Sequence, residues 1–446
     1  MTVKRTSVFL VAVLLLLPMA APARAAATGT EDLLRRIREE KPIRIEECVR
    51  VALETNPGLR SGRESVRSTE RAVWESYSTF LPNLSFGLSG SRTKQASYTL
   101  YRPGIDEDKY NFYSSSIQLS QTLFSWSGIK GIHQARNMRD ADRAGFEADR
   151  QSLVYQVRTG CHNLLKMEDL LDVALENLQV GQEQLKLAEK MKEVGAGVIA
   201  DVLKASAQVE SNRLDVITAE KNLAVARAAL LGYMGLDVTL PIHVERVDEV
   251  NPEIPDFGTS LKRAMENRPD LREMEENLQA SKDGVGAAWG SHLPSLNGSF
   301  RYGWNNDELS ADLFDEERNN WTASISLSVP LFDVGTYSRI GQRKAGVESA
   351  RWGLEATRQN VALEIQNAIL VIEESAKKME VAERNVAAAD EDLRVSEGKY
   401  KHGLVAILDL IQAKASLAEA KAGRVEARYN YLSARAELMR AIGEGE

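Results

Sequence analysis

Few side chains in this sequence are placed to do chemistry. The five histidines, His133, His162, His243, His292 and His402, lie at no metal-ligand spacing. The two cysteines, Cys48 and Cys161, cannot build a thiolate metal site. In an oxidising compartment they could form one disulfide; the plainer reading is two small buried residues. Serine and aspartate are plentiful but form no nucleophile motif, so an enzyme has no positive support and no cofactor is expected. Gly195-Ala196-Gly197-Val198-Ile199-Ala200 mimics a dinucleotide-binding G-x-G-x-x-A. It has no preceding strand and lies between two helical segments, so it reads as a turn. Asp201 and Asp409 are carboxylates at matching places, each just past a glycine, Gly195 or Gly403. An aspartate there can satisfy a helix N-terminus.

The matching has a cause: the chain is written twice. Ala52-Leu53-Glu54-Thr55-Asn56-Pro57-Gly58-Leu59 recurs as Ala264-Met265-Glu266-Asn267-Arg268-Pro269-Asp270-Leu271. Phe80-Leu81-Pro82 recurs as His292-Leu293-Pro294, and Leu119 to Phe124 recurs as Leu327 to Phe332. Gly195, Asp201 and Ala205 recur as Gly403, Asp409 and Ala413. The sequence therefore divides into a leader (1–25), an N-terminal segment (26–43), a first repeat (44–236), a Pro-rich acidic linker (237–257) and a second repeat (258–443). Each repeat reads helix, strand, strand, long helix, turn, helix.

The long helices carry heptad seams. Val361, Ile365, Ala368, Ile372, Ser375, Met379 and Ala382 step by four and three, and the pattern runs on to Tyr400. Leu164, Leu171, Leu178 and Leu185 step by seven, as do Val202, Val209, Val216, Leu223 and Leu230. Such a strict repeat imposes a left-handed supercoil. A helix from 128 to 194 would be roughly 100 Å long, far more than a globular domain needs.

The segments between the helices alternate instead. Leu84, Phe86 and Leu88 interleave with Ser85, Gly87 and Ser89. Trp321, Ala323, Ile325 and Leu327 interleave with Thr322, Ser324, Ser326 and Ser328. Ile117, Leu119 and Leu123, and Leu296, Phe300, Tyr302 and Trp304, follow the same period. One face is apolar and aromatic, the other polar, as in a transmembrane β-strand. An ordinary half-buried sheet shows the same alternation. Tyr302, Trp304 and Trp321 suit an interfacial aromatic girdle and favour the membrane.

The N-terminus agrees. Lys4 and Arg5, the apolar run Val8 to Leu17, and Ala23-Arg24-Ala25 form an export signal. A formal charge of -8, with basic and acidic residues alternating along the helices, argues against nucleic acid as a partner. Four strands per chain cannot close a barrel, and open edges are not tolerated in lipid. Three chains would supply twelve strands, enough to enclose water.

Together these features resemble the outer membrane efflux proteins, the TolC-like family. The resemblance rests on the doubled order of Asn56-Pro57-Gly58-Leu59 and Arg268-Pro269-Asp270-Leu271, the Leu-Pro before each hairpin, the Leu-Phe after it, and the turn Gly403 to Leu410. It implies a homotrimer with a twelve-stranded outer-membrane barrel, continued by a long antiparallel coiled-coil α-helical barrel in the periplasm. It implies a passive exit duct serving a periplasmic adaptor and an inner-membrane RND, ABC or MFS pump, or a type I secretion system. It places Gly195, Gly197, Gly403, Leu404 and Val405 at the tips where the adaptor docks. Asp201 and Asp409 would form carboxylate rings that narrow the periplasmic end and favour cations. Tyr400 could hydrogen-bond across hairpins there, or serve only as a seam residue. Gln412 and Lys204 stand one turn past the two aspartates, where a second acidic ring would need carboxylates. A soluble periplasmic coiled-coil adaptor is the competing reading, and the four amphipathic strands speak against it.

Overall fold

A computed structural model describes residues 33, 35–37, 39, 41–94, 109–195, 197–246, 253–306, 319–402 and 404–445. The export signal, most of both strand-hairpin loops, Ala196 and Gly403 lie outside the described residues.

The first repeat comprises α1 (Ile45–Thr55), α2 (Pro57–Ser78), β1 (Asn83–Lys94), β2 (Lys109–Ser125), α3 (Trp126–Glu193) and α4 (Ile199–Met234). The second comprises α5 (Phe257–Asn267), α6 (Pro269–Gly290), β3 (Ser295–Asn306), β4 (Asn319–Ser328), α7 (Val334–Lys401) and α8 (Ile407–Ala441). The order is the same in both.

The helix starts follow local chemistry. Pro57 and Pro269 each open a helix, where a missing N–H costs nothing. The side chain of Asn56 accepts from the N–H of Leu59 at 3.0 Å. Ser125 caps α3 by accepting from Gly128, and Asp333 caps α7 by accepting from Gly335. Helix α4 ends at Gly235, which takes a left-handed φ of 67°.

Helices α3 and α7 are each 68 residues long, about 100 Å. Each folds back on a shorter partner, α3 on α4 and α7 on α8. Helix α6 packs between α3 and α7, and α2 lies on the other flank of α3. The α3–α6 seam is close because glycines line it: a Cβ on Gly290 would stand 2.6 Å from the backbone N of Ser127. Asp283, almost fully buried there, accepts from Lys130 at 2.9 Å and from Asn137 at 2.8 Å.

Two apolar cores mark the two repeats. The first gathers Cys48, Val51, Val157, Cys161, Leu164 and Leu230. The second gathers Ala264, Val361, Ile365, Ile372, Tyr431 and Leu438. On α7 the seam is buried from Val361 to Ser375 and mostly half-buried from Met379 to Tyr400, whereas on α4 and α8 Val209, Val216, Leu410 and Leu417 stay buried. Arg424, which follows Leu410 and Leu417 at the same seven-residue step on α8, is exposed and pairs with Glu383 at 3.8 Å. The N-terminal segment is tied to the linker by a parallel bridge between Ile43 and Val244.

The four strands form one antiparallel sheet in the order β1-β2-β3-β4. The register shifts between Thr122 and Phe124, so Phe124 pairs with Leu296 and Leu123 leans over Gly298. Simple alternation through Leu123 therefore misses a bulge at the root of β2.

Candidate functional site

Two regions carry the functional geometry: the sheet at one end and the helix-hairpin tips at the other. Cross-strand rows of the sheet keep the alternation seen in the sequence. Leu84, Leu119, Phe300 and Ala323 form one row. Phe86, Ile117, Tyr302 and Trp321 form another. These side chains are unusually bare: Phe86 is 60% exposed, Trp321 65% and Ile325 74%. The opposite face carries the row Ser85, Gln118, Arg301 and Thr322. Arg301 donates to the Ser116 hydroxyl at 3.1 Å, and Ser299 and Ser324 share a hydrogen bond of 2.8 Å. An exposed apolar face of this extent needs a partner. Lipid on that side and water on the polar one is the arrangement of a transmembrane β-sheet.

The tips are built by both repeats together. Ala188, Ala205 and Ile407 form a small buried core, with Leu185, Val202, Tyr400 and Ile411 around it. The structure therefore brings Tyr400 of the second repeat to Asp201 of the first. Burial raises the Tyr400 phenol pKa, and the Asp201 charge adds to that. No spacing within either repeat announces this contact; only the packing of one hairpin on the other creates it.

Gly195 turns the first tip at φ +74°, and a side chain there would meet open space but a strained backbone. Gly197 is required for a different reason: its Cβ would stand 3.1 Å from the backbone N of Lys192. Gly403 lies outside the described residues. Beside it, the N–H of Leu404 donates to the Lys399 carbonyl at 2.9 Å and closes α7. Val405 is half-buried, whereas Leu404 is 73% exposed. Val194, Val198, Leu203 and Leu408 are also bare, so the tips end in an apolar surface.

The two aspartates differ in their surroundings. Asp201 is half-buried in the first turn of α4. Asp409 is exposed, and its carboxylate accepts from the N–H of Ala406 at 3.1 Å. It thus caps α8 as well as presenting charge. Gln412 is exposed one turn further on. Among the described residues no three His, Cys, Asp or Glu side chains gather to hold a metal ion. No described helix is long and apolar enough to cross a membrane.

The profile of the family described as outer membrane efflux protein matches residues 48–236 and 260–444. The chain belongs to the outer membrane efflux protein family. Each matched stretch carries one strand pair, β1 and β2 in the first and β3 and β4 in the second. The chain is 26% identical to outer membrane protein TolC of Vibrio cholerae over 289 residues, covering 64% of each protein. It is 25% identical to the cation efflux system protein CusC of Escherichia coli over 208 residues, covering 45% of each. It spans just under two thirds of the TolC relative's length. The fold extends further than the sequence likeness. A solved structure of CusC superposes with a TM-score of 0.80 over 90% of this chain and 92% of that one, at 21% identity. The Campylobacter jejuni CmeC outer membrane channel superposes with the same score, 0.80, over 90% of this chain and 86% of its own, at 19% identity. Membership places this efflux-family chain in the outer membrane, with the helices extending into the periplasm.

Proposed function

We propose that three copies of this chain close a twelve-stranded barrel and a continuous helical tunnel. The assembly is a passive exit duct for an efflux pump or a type I secretion system. The observation that carries this is the open sheet, with a bare apolar face and, among the described residues, no strand paired to the outer edges of β1 and β4. Lipid does not tolerate unpaired backbone, so those edges meet each other in neighbouring copies.

The helices support the same closure. Within the chain, α3 packs on α6 through a glycine-lined seam. Helices α7 and α2 are their repeat equivalents, and they flank the chain on opposite sides. Trp74 on α2 is 70% exposed and Trp352 on α7 is 67% exposed. Pairing α7 with α2 of the next copy would cover both and repeat the internal seam around the ring.

At the periplasmic end, Asp201 and Asp409, with Tyr400 and Gln412, narrow the tunnel. The bare apolar tips around Gly195, Gly197, Gly403, Leu404 and Val405 dock a periplasmic adaptor, which joins the duct to an inner-membrane RND, ABC or MFS pump.

The test is planar-bilayer conductance of the detergent-extracted protein, with its mass measured in the same detergent. A trimer giving small, cation-selective channels supports the duct. A water-soluble monomer without conductance refutes it and leaves a periplasmic coiled-coil scaffold.

A further inference from the structure

We propose that Cys48 and Cys161 form a disulfide that staples α1 to α3 on the periplasmic side of the membrane. The two residues are 113 positions apart in sequence, yet in the fold they share the first apolar core. Each is 0% exposed, and neither is bridged in the structure. Both sit where α1 packs on α3, and the Cys48 thiol bears on the protonation of Cys161. Cys161 lies 35 residues down α3 from Trp126, about 50 Å from the strands. That depth is periplasm, where disulfides form and persist.

The second repeat shows what the same place looks like without the pair. At the equivalent positions stand Ser260 and Ile369, both buried. A serine and an isoleucine satisfy packing in the copy of this seam. Two thiols in one core add the capacity to be joined.

The chemistry fixes when the bond must form. The neighbouring Cys48 thiol, then burial, push the Cys161 thiol well above its ordinary range. A closed core therefore holds it protonated and unreactive. Joining must precede closure, while the exported chain is still open. The oxidant is a periplasmic protein disulfide of the thiol–oxidoreductase class. One cysteine thiolate attacks that disulfide and forms a mixed disulfide, releasing one thiolate of the oxidant. The second cysteine, as thiolate, then displaces the oxidant's other sulfur. The chain loses two protons and two electrons; the oxidant leaves as a dithiol. Once α1 seats on α3, the bond is out of reach of soluble reductants.

The test is a thiol count on the full-length protein taken from outer membranes. Cells are quenched with N-ethylmaleimide, the protein is unfolded without reductant in the same reagent, and its intact mass is read. The expected result is no adduct before reduction and two adducts after it. Cys48→Ser and Cys161→Ser variants should each show one adduct before reduction, unless the lone thiol has bridged another copy, which the mass reveals. Two adducts on the unreduced wild-type protein overturn the proposal. Because the count is made on wild-type protein, it stands even where a variant fails to fold. It is also independent of channel activity, so it can fail while the duct reading holds.

Discussion

The guanidinium of Arg268 donates a 3.0 Å hydrogen bond to the carbonyl of Ala441 and ties the start of α6 to the end of α8. In the first repeat Asn56 does the same to Tyr233, at 2.8 Å. The junction is thus made twice with different side chains. The larger one recruits more: Arg268 also reaches Asp270 at 2.7 Å and Glu364 at 2.6 Å, and Arg440 pairs with Glu364 as well. Arg268 is nine-tenths buried.

Removing Arg268 would leave the half-buried Asp270 without its partner and Glu364 with Arg440 alone. Arg268→Ala should cost about 3 kcal/mol, as for breaking other buried pairs. A pH signature accompanies it. Burial works to raise the Asp270 pKa, but the hydrogen bond and charge of Arg268 outweigh it and hold the carboxyl below its usual 3.8. A depressed folded-state pKa contributes stability above the unfolded value, and that contribution is lost as pH falls through the folded one. Wild-type protein should therefore lose stability below about pH 4 by a share that Arg268→Ala lacks. Thermal melting across that range reads both effects.

Gly443 ends the same junction at φ +78°, with its missing Cβ 2.9 Å from the backbone N of Arg268. Gly443→Ala meets both strain and a clash with backbone, so a loss of roughly 2 kcal/mol is expected. Gly235→Ala in the first repeat should behave alike, since its Cβ would stand 2.9 Å from Asn56 Cα. By contrast Gly423→Ala, on open helix surface, should stabilise slightly or do nothing. Melting of the three variants side by side checks the ranking.

His162 is buried beside Cys161, and its Nδ1 has no partner. Burial first, and the Arg158 charge second, push its pKa down to about 4 from 6.5. The unfolded chain takes up the proton first, so stability falls as pH drops from 6.5 towards 4. The loss should be on the order of 2 kcal/mol. A His162→Leu variant should show a flatter profile over that window in the same melting experiment.

The sheet predicts a parity rule. Ile325 lies on the apolar face and Ser324 on the polar one. Ile325→Lys should cost about 2–4 kcal/mol in lipid and reduce assembled protein in outer membranes. Ser324→Lys should assemble normally and lower cation selectivity in bilayer recordings. Equal damage from both would contradict a water-filled interior.

At the tips, the double variant Asp201→Ala with Asp409→Ala should raise single-channel conductance and weaken cation preference. Asp409→Ala also removes the Ala406 cap, worth roughly 1 kcal/mol. Asp409→Asn alone should keep most of the cap while losing the charge, which separates the two effects. Unchanged conductance in the double variant removes both residues from the constriction.

Much of this architecture is legible from residue order because its signals are periodic. A heptad from Val361 to Ala382 and an alternation from Trp321 to Leu327 each dictate a face, and those faces are found. What resists reading depends on contacts between distant segments. Nothing local says that Tyr400 comes to Asp201, that Cys48 and Cys161 share a core, or that Arg268 replaces Asn56 at a carbonyl far along the chain. The bulge at Leu123 hides for another reason: one extra residue leaves the composition of β2 unchanged while shifting its phase.

The bare edges of β1 and β4 bear on inheritance. On the proposed ring, every copy is both donor and acceptor of a seam, so no copy is redundant. A subunit with a spoiled edge does not simply fail alone; it joins through its sound edge and ruins the ring that admits it. Edge lesions in β1 or β4 should therefore be dominant over a wild-type gene in the same cell, whereas lesions that prevent folding outright should be recessive.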